Sequence, residues 1–118
     1  MAGKHCVQEL YKADSDLLND EAFVREALIE AARVADATFL DVRTHLFDPQ
    51  GVTGFVLLAE SHISIHTWPE LGYAAVDVYT CGFSTKPEAA CQYLYNRFKA
   101  QDQQLQTIAR PVPKFTCA

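Results

Sequence analysis

The chain has 118 residues, 49% of them hydrophobic, which is enough material for one compact domain with a single core. Its formal net charge of -5 is spread along the sequence, which argues against a polyanionic partner such as nucleic acid and is compatible with a small cationic ligand. The sequence shows no apolar run of membrane-spanning length and no signal-peptide pattern after Met1, so we expect a cytoplasmic protein with no membrane segment.

The first two elements are predicted to be a strand and a helix. His5 to Tyr11 is typical of a strand, and Asn19 stands where it can cap the helix that follows. Asp20 and Glu21 suit the positive N-terminal end of that helix. Its apolar positions fall on one face, namely Phe23, Ala27, Leu28, Ala31 and Val34. A helix with one apolar stripe is expected to pack against the rest of the domain on that side.

The middle of the sequence predicts two strands joined by a turn. Thr38 to Phe47 alternates between two sides, which is the period of a strand. Asp48 to Gly51 then supplies turn-forming residues. Val52 to Ala59 is continuously apolar, which predicts a central strand buried on both faces of a sheet.

Two further strands, a second helix and a last strand complete the pattern. Isoleucines alternate with polar residues over 62–66, and the alternation returns from Tyr73 to Thr80. Ser84 or Thr85 is predicted to cap the second helix. A short strand is predicted from Leu105 to Ala109, before a proline-containing tail.

These elements predict an α+β fold, a two-layer α/β sandwich with a mainly antiparallel sheet and two helices on one face. Each helix has one apolar stripe, and placing both on the same side of the sheet buries both stripes. We expect a single domain over residues 1–118. The other face of the sheet would be partly uncovered in a monomer, so we expect a second subunit to cover it.

The four cysteines are scattered along the sequence: Cys6, Cys81, Cys91 and Cys117. They form no C-x-x-C pair, which argues against a zinc knuckle and against a disulfide framework. We therefore expect free thiols.

Polar and reactive residues are dense between Glu60 and Cys81, a stretch that otherwise has the pattern of core strands. Ser61, His62 and His66 are, on spacing alone, compatible with ordinary polar positions on a half-exposed strand. A metal site is disfavoured, because four residues of a strand separate the two histidines by about 13 Å. Spacing by itself leaves the function of this segment open.

The segment is nevertheless similar to a known family over three runs, Gly51 to Gly54, Ala59 to Glu70 and Gly72 to Gly82. Together these runs resemble the prokaryotic S-adenosylmethionine decarboxylase family. The order of elements and the first strand agree with that family outside the runs. The resemblance implies a homodimer with active sites near the subunit interface, and an enzyme that supplies the aminopropyl donor for spermidine synthesis.

The resemblance also implies a proenzyme that cuts its own backbone between Glu60 and Ser61, giving a β chain of residues 1–60 and an α chain of residues 61–118. Ser61 would become a pyruvoyl group, the cofactor of the family. His66 matches the base of this processing reaction, a role that suits an imidazole near neutral pH. Thr53 stands where the family usually has serine, and its hydroxyl would stabilise the tetrahedral oxyanion. The extra methyl group puts the rate of processing in question.

For decarboxylation, the resemblance implies a Schiff base between the substrate amine and the pyruvoyl carbonyl, with Cys81 returning a proton to the substrate α-carbon. Phe47 and His66 match the residues that enclose the adenine, and Glu70 matches the acid that holds the ribose hydroxyls. Trp68 is predicted to face the sulfonium cation or to anchor the adjacent turn. Glu9 matches a family acid near the site, although a solvated strand position is nearly as compatible with it.

Two alternatives remain open at this stage. Relatives with the same self-cleavage motif can decarboxylate L-arginine or L-ornithine instead, and the retention of Phe47 and Glu70 favours S-adenosylmethionine. A non-catalytic α+β module that binds a small ligand is the alternative from another class, and it would have no reason to break its own backbone.

Overall fold

The computed structural model describes residues 3–82 and 84–113, which form a six-stranded antiparallel sheet with helices on one side. The strands are β1 Gly3–Tyr11, β2 Phe39–Leu46, β3 Val52–Leu58, β4 His62–Trp68, β5 Tyr73–Cys81 and β6 Asp102–Arg110. The helices are α1 Ser15–Leu18, α2 Glu21–Val34 and α3 Pro87–Arg97, and a 3-10 turn covers Pro69–Leu71. The helices of these described segments are too short or too polar to cross a membrane.

The strand order is β2-β3-β4-β5-β1-β6, so the sheet interleaves the two halves of the sequence. Strand β1 lies between β5 and β6, and β3 pairs with β4. The predicted cut between Glu60 and Ser61 falls in the turn that joins β3 to β4. Fragments 1–60 and 61–118 would therefore remain joined through three pairs of hydrogen-bonded strands.

The core lies between the sheet and its helices. Helix α2 packs on β2 and β3, α3 packs on β1 and β5, and the two helices contact each other. Leu28 of α2 and Leu94 of α3 are fully buried, as are Ile63 and Ile65 on β4. The predicted two-layer α+β sandwich with both helices on one face is confirmed.

The helix caps differ from the prediction. Asp20, not Asn19, caps α2, because its side chain accepts a hydrogen bond from the Phe23 amide at 3.0 Å. Asn19 instead closes the short helix α1, and its side chain accepts from the Gly51 amide at 2.9 Å, which fixes the β2–β3 turn. Because Asn19 ends the unpredicted helix α1, the N-cap of α2 is the next residue, Asp20.

Helix α3 begins after Lys86, which makes no side-chain cap. The predicted capping residue Thr85 uses its hydroxyl to donate to the Thr80 hydroxyl at 3.1 Å, across the β5–α3 loop. Ser84, the other predicted cap, lies two residues before the helix cap position. Neither predicted residue is the cap.

Strand β3 is buried on one face only, so the prediction of burial on both faces is wrong. Val56 is fully buried, whereas Phe55 and Leu57 are 41% and 44% exposed. They belong to the sheet surface away from the helices, which we call the open face. Its outward side chains include His5, Glu9, Thr53, Phe55, Leu57, His62, Ser64, His66, Trp68, Tyr73, Asp77 and Tyr79.

The cysteines have different environments. Cys6 and Cys91 are free and buried in the core, and a hydrogen bond from the Cys91 thiol lowers the pKa of Cys6 to about 7. The same hydrogen bond and burial raise the pKa of Cys91. Cys81 is disulfide-bonded, so the prediction of a free thiol is wrong at that position. Cys117 lies outside the described residues.

Candidate active site

The turn between β3 and β4 holds the predicted cleavage bond in a tight arrangement. The Ser61 hydroxyl donates a hydrogen bond to the main-chain carbonyl oxygen of Glu60, so Ser61 Oγ lies beside the carbonyl that it is predicted to attack. The Leu58 amide donates to the Ser61 carbonyl at 3.0 Å and closes the turn. The nucleophile and the acyl group of the predicted reaction are therefore in contact in the uncut chain.

Cys81 lies at the same end of the sheet as Ser61. His62 pairs with Tyr79, so the start of β4 lies beside the end of antiparallel β5. Cys81 ends that strand and is only 4% exposed. We call the group Glu60, Ser61 and Cys81 the cleavage end of the sheet.

A cavity of about 310 Å³ lies near the opposite end of β4. Its lining consists of Phe47, Gln50, Gly51, Thr53, His66, Thr67, Trp68 and Glu70. Five of these residues are predicted site residues, and we call this cavity the pocket. The aromatic and acidic side chains predicted to contact adenine and ribose are thus brought together by the fold.

Inside the pocket, Thr53 and His66 form a hydrogen-bonded pair. They are register partners on β3 and β4, and Thr53 Oγ1 lies 3.0 Å from His66 Nδ1. If Nδ1 carries the proton and donates it to Thr53, the lone pair of Nε2 is available to act as a base. The next residue on β3, Gly54, lets this strand approach helix α2 closely. A Cβ at that position would come within 2.5 Å of the side chain of Leu28 on α2.

The structure separates the pocket from the cleavage end within one chain. Ser61 and His66 are five residues apart on one extended segment, which corresponds to roughly 16 Å. The predicted site residues therefore form two groups on one chain. Neither group by itself contains both the nucleophile and the predicted base.

Glu9 occupies the open face in the same cross-strand row as His66. Both residues pair with Ala75, from opposite sides of β5. The Tyr73 hydroxyl donates to Glu9 Oε1, and this hydrogen bond raises the pKa of Tyr73 to about 12. Glu9 is therefore a fixed hydrogen-bond acceptor on the open face, outside the lining of the pocket.

Two histidines that were not predicted as site residues lie beside these groups. His5 lies 2.9 Å from Asp77 through its Nε2, and His62 stacks on Phe55 with ring centroids 5.6 Å apart. Burial is the main cause that lowers the pKa of His62. The outward positions of β4 were visible in the alternation of its isoleucines, whereas the His5–Asp77 contact depends on the pairing of β1 with β5.

All four histidines of the sequence lie on the open side of the sheet, since His45 pairs with outward-facing Thr53. Within the described residues, His, Cys, Asp and Glu side chains form no group of three that could hold a metal ion. The histidines lie in two cross-strand rows of the sheet, with His5 and His62 on either side of Tyr79. His45 and His66 lie on either side of Thr53 in the other row. Their arrangement suits proton transfer and aromatic contacts.

Comparisons with known proteins give one consistent result. The family model described as S-adenosylmethionine decarboxylase matches residues 4–111. A protein of Synechococcus sp. (strain WH7803), named S-adenosylmethionine decarboxylase proenzyme, is 58% identical over 96% of this chain and 88% of its own length. A protein of the same name from Acetivibrio thermocellus is 46% identical over 93% and 89%. The crystal structure of the adenosylmethionine decarboxylase from Aquifex aeolicus is 39% identical, with a TM-score of 0.88 over 98% of this chain and 95% of that one.

Proposed function

Because the chain belongs to the S-adenosylmethionine decarboxylase family, we propose that it is a proenzyme that cuts itself between Glu60 and Ser61 and then decarboxylates S-adenosylmethionine. Its product would be the aminopropyl donor for spermidine synthesis. The observation that carries the proposal is the contact between the Ser61 hydroxyl and the Glu60 carbonyl oxygen in the uncut chain. A hydroxyl held against its own preceding carbonyl is the starting geometry for transfer of the acyl group from nitrogen to oxygen.

The proposed cleavage uses atoms of this chain and one water molecule. Ser61 Oγ attacks the Glu60 carbonyl carbon, the C–N bond breaks, and an ester joins the two residues. A base removes the Ser61 α-proton and the Cβ–O bond breaks, which releases residues 1–60 with a C-terminal carboxylate. The dehydroalanine left at position 61 tautomerises to an imine, and water hydrolyses it to a pyruvoyl group and ammonia.

The base and the oxyanion donor are proposed to be His66 and Thr53. Their 3.0 Å hydrogen bond orients the imidazole and keeps the hydroxyl in the pocket. Since roughly 16 Å of strand separates His66 from Ser61 on one chain, we propose that the pocket of a second copy meets the cleavage end of the first. A two-fold axis would complete two equivalent sites at once.

The open face is the proposed interface of this homodimer. It carries exposed apolar side chains on β3, including Phe55 and Leu57, at 41% and 44% exposure. Trp68 is 39% exposed at its edge, beside the pocket. Covering such a surface with a second copy would remove apolar area from water and would exclude water from both reaction sites.

For decarboxylation, we propose that Phe47 and His66 enclose the adenine, that Glu70 binds the ribose hydroxyls, and that Trp68 and Glu9 lie near the cationic end of the substrate. The pyruvoyl group, once formed from Ser61, would supply a carbonyl that accepts electrons as carbon dioxide leaves. The contact of Ser61 with Glu60 supports this proposal, because it brings the hydroxyl group of Ser61 to the bond that must break.

Cys81 is proposed to return a proton to the substrate α-carbon, a role that requires its thiol form. Because Cys81 is disulfide-bonded in the structure, we expect decarboxylation to need a reductant. The assay compares carbon dioxide release with and without dithiothreitol. Full activity without reductant in protein whose Cys81 is shown by mass spectrometry to be oxidised would remove Cys81 from this role.

Denaturing electrophoresis and intact-mass spectrometry of the purified protein test the cleavage. Wild-type protein should give two fragments, residues 1–60 and 61–118, with a reactive carbonyl at the start of the second. The variant Ser61→Ala should remain one chain, and Ser64→Ala, three residues further along the chain, should cleave like the wild type. A wild-type chain that stays uncut, or cleavage that persists in Ser61→Ala, would contradict the proposal.

Carbon dioxide release from S-adenosylmethionine, L-arginine and L-ornithine tests the substrate. We expect release from S-adenosylmethionine, because the pocket contains Phe47 and Glu70. Activity on arginine or ornithine alone would overturn the substrate and leave the cleavage chemistry in place. The cytoplasmic location stays a prediction, which cell fractionation would check.

A further inference from the structure

Thr38 holds the residue on the acyl side of the proposed cleavage bond through three hydrogen bonds. Its amide donates to Glu60 Oε1 at 2.9 Å, and its hydroxyl donates to Glu60 Oε2 at 3.0 Å. Its carbonyl accepts from the Ala59 amide at 2.9 Å. Both oxygens of one carboxylate and the preceding amide are thus bound to a single residue, which lies 22 positions earlier in the sequence. We call this arrangement the Thr38 clamp.

We propose that Thr38 is a positioning residue for self-cleavage, acting through the Glu60 side chain. This proposal rests on the proposed function, because it concerns the bond that Ser61 is to break. Thr38 immediately precedes β2, and β2 is anchored along β3 by backbone pairing. The clamp therefore ties the turn that carries the scissile bond to the edge of the sheet.

The first reason for a catalytic benefit is geometric. Acyl transfer from nitrogen to oxygen requires the serine oxygen to approach the carbonyl carbon from one side, and small displacements of the reacting atoms slow such reactions strongly. A turn fixed only by the Leu58–Ser61 hydrogen bond would leave the Glu60 peptide free to rotate. Fixing both the Ala59 amide and the Glu60 carboxylate restricts that rotation.

The second reason is electrostatic. As Ser61 attacks, negative charge develops on the Glu60 carbonyl oxygen, in the same residue as a carboxylate. A carboxylate that swung towards this oxygen would repel the developing charge. Two donors from Thr38 satisfy the carboxylate at a fixed place, so the carbonyl oxygen is free to receive hydrogen bonds from the groups that stabilise the oxyanion.

The clamp would also outlast the reaction, since Thr38 and Glu60 both belong to fragment 1–60. It would hold the new C-terminal residue beside the sheet after the bond has broken. The clamp holds the fragment that carries neither Ser61 nor Cys81, and the proposed substrate contacts line the pocket. We therefore expect the clamp to affect the cleavage and not the decarboxylation that follows.

The experiment measures the rate at which newly synthesised proenzyme is cleaved, by electrophoresis over time. Thr38→Val keeps the shape of the side chain and removes the hydroxyl that donates to the Glu60 carboxylate. We expect cleavage about tenfold slower, equivalent to about 1.4 kcal/mol in the barrier. Thr38→Ser restores the hydroxyl and should restore the rate. The matched control is Thr44→Val, which removes a Thr–Glu hydrogen bond of the same kind, from Thr44 to Glu21 at 2.8 Å.

A second measurement separates positioning from folding. In the uncut Ser61→Ala background, Thr38→Val and Thr44→Val should change the melting temperature by similar small amounts. Once Thr38→Val protein has fully cleaved, its kcat per cleaved chain should equal that of the wild type. Wild-type protein that never cleaves would end the proposed function. If the wild type cleaves and Thr38→Val cleaves at the same rate, the positioning role of Thr38 is overturned and the proposed function stands. The same holds if Thr38→Val cleaves more slowly only to the extent that Thr44→Val does.

Discussion

The two faces of the sheet are built by the same strands and have opposite properties. On β4, Ile63 and Ile65 point towards the helices and are fully buried. Their neighbours His62, Ser64 and His66 point to the open face, where His62 and Ser64 are half-buried and His66 is exposed. Alternation along one strand is enough to place a hydrocarbon core on one side of the sheet and titratable groups on the other.

The difference shows how stability and chemistry can be assigned to separate surfaces of one small domain. The helix face buries the apolar area that stabilises the fold, with α2 and α3 as its cover. The open face carries every histidine of the sequence and the pocket. Substitutions on the helix face should therefore change the free energy of unfolding, and substitutions on the open face should change reaction rates or association.

The largest effect is expected at Thr53, on the open face. Thr53→Val removes the hydroxyl that bonds His66 and keeps the side-chain shape, so cleavage should slow by about 10²- to 10³-fold, as when an oxyanion-hole donor is lost. The free energy of unfolding should change by about 0.5 kcal/mol or less. Thr53→Ser keeps the hydroxyl and should cleave at least as fast as the wild type. A Thr53→Val protein that cleaves at the wild-type rate would show that this hydroxyl has no part in the reaction.

The converse test is Ile65, the helix-face residue that precedes His66. Ile65→Ala should lower the free energy of unfolding by about 3 kcal/mol, because it leaves a cavity among fully buried side chains. The control Ser64→Ala, one position away on the open face, should change it by about 0.5 kcal/mol or less. Urea titrations of both variants in the uncut Ser61→Ala background would measure this. Equal losses in the two variants would abolish the distinction between the faces.

Association provides the next test. Phe55→Glu puts a charge in the proposed interface and should raise the dimer dissociation constant by about 30-fold, equivalent to about 2 kcal/mol. Leu105→Glu is the matched control, because Leu105 is 43% exposed against 41% for Phe55 and pairs with the core-facing Gln8 on the helix side. Sedimentation at several concentrations would give both constants. A wild-type protein that is monomeric at micromolar concentration would contradict the dimer itself.

Much of the fold followed from the sequence because hydrophobic alternation is a local signal. The alternating segments predicted β2, β4 and β5, and the apolar stripe predicted α2. The sequence pattern was misleading at β3, where Phe55 and Leu57 are apolar and yet exposed on the single chain. An apolar run indicates that both faces of a strand will be buried once the protein has assembled. It does not tell which partner will cover them.

The site was predictable where its residues lie in one sequence segment and less so where distant strands meet. Resemblance to the family predicted Phe47, His66 and Glu70, and the fold brings them into one pocket. Nothing in the sequence indicated Thr38, because its hydrogen bonds to Glu60 arise only when β2 pairs with β3. The separation of Ser61 from His66 follows from strand geometry, because β4 is continuous from His62 to Trp68.

The smallest predicted effect concerns His62, whose ring is partly buried on the open face. Burial, and then the nearby His5 and Arg110, lower the pKa of His62 in the folded protein, while Asp77 acts in the opposite direction. The unfolded chain has an ordinary histidine pKa of 6.5, so as the pH falls it binds a proton at a higher pH than the folded chain does. The free energy of unfolding should fall as the pH drops below about 6.5, and should level off below the folded-state pKa.

His62→Phe keeps a ring stacked on Phe55 and removes the titrating group, so its loss of stability between pH 8 and pH 5 should be smaller than that of the parent. Urea titrations at fixed protein concentration in the Ser61→Ala background would compare the slopes of the free energy of unfolding against pH for the two proteins. Ser64→Ala is the control, and its slope should equal that of the parent. The comparison uses slopes because the added apolar ring changes stability at every pH. Identical slopes in His62→Phe and its parent would mean that the open face is as well hydrated at His62 as in the unfolded chain. The partial burial of that histidine in the structure argues for the opposite result.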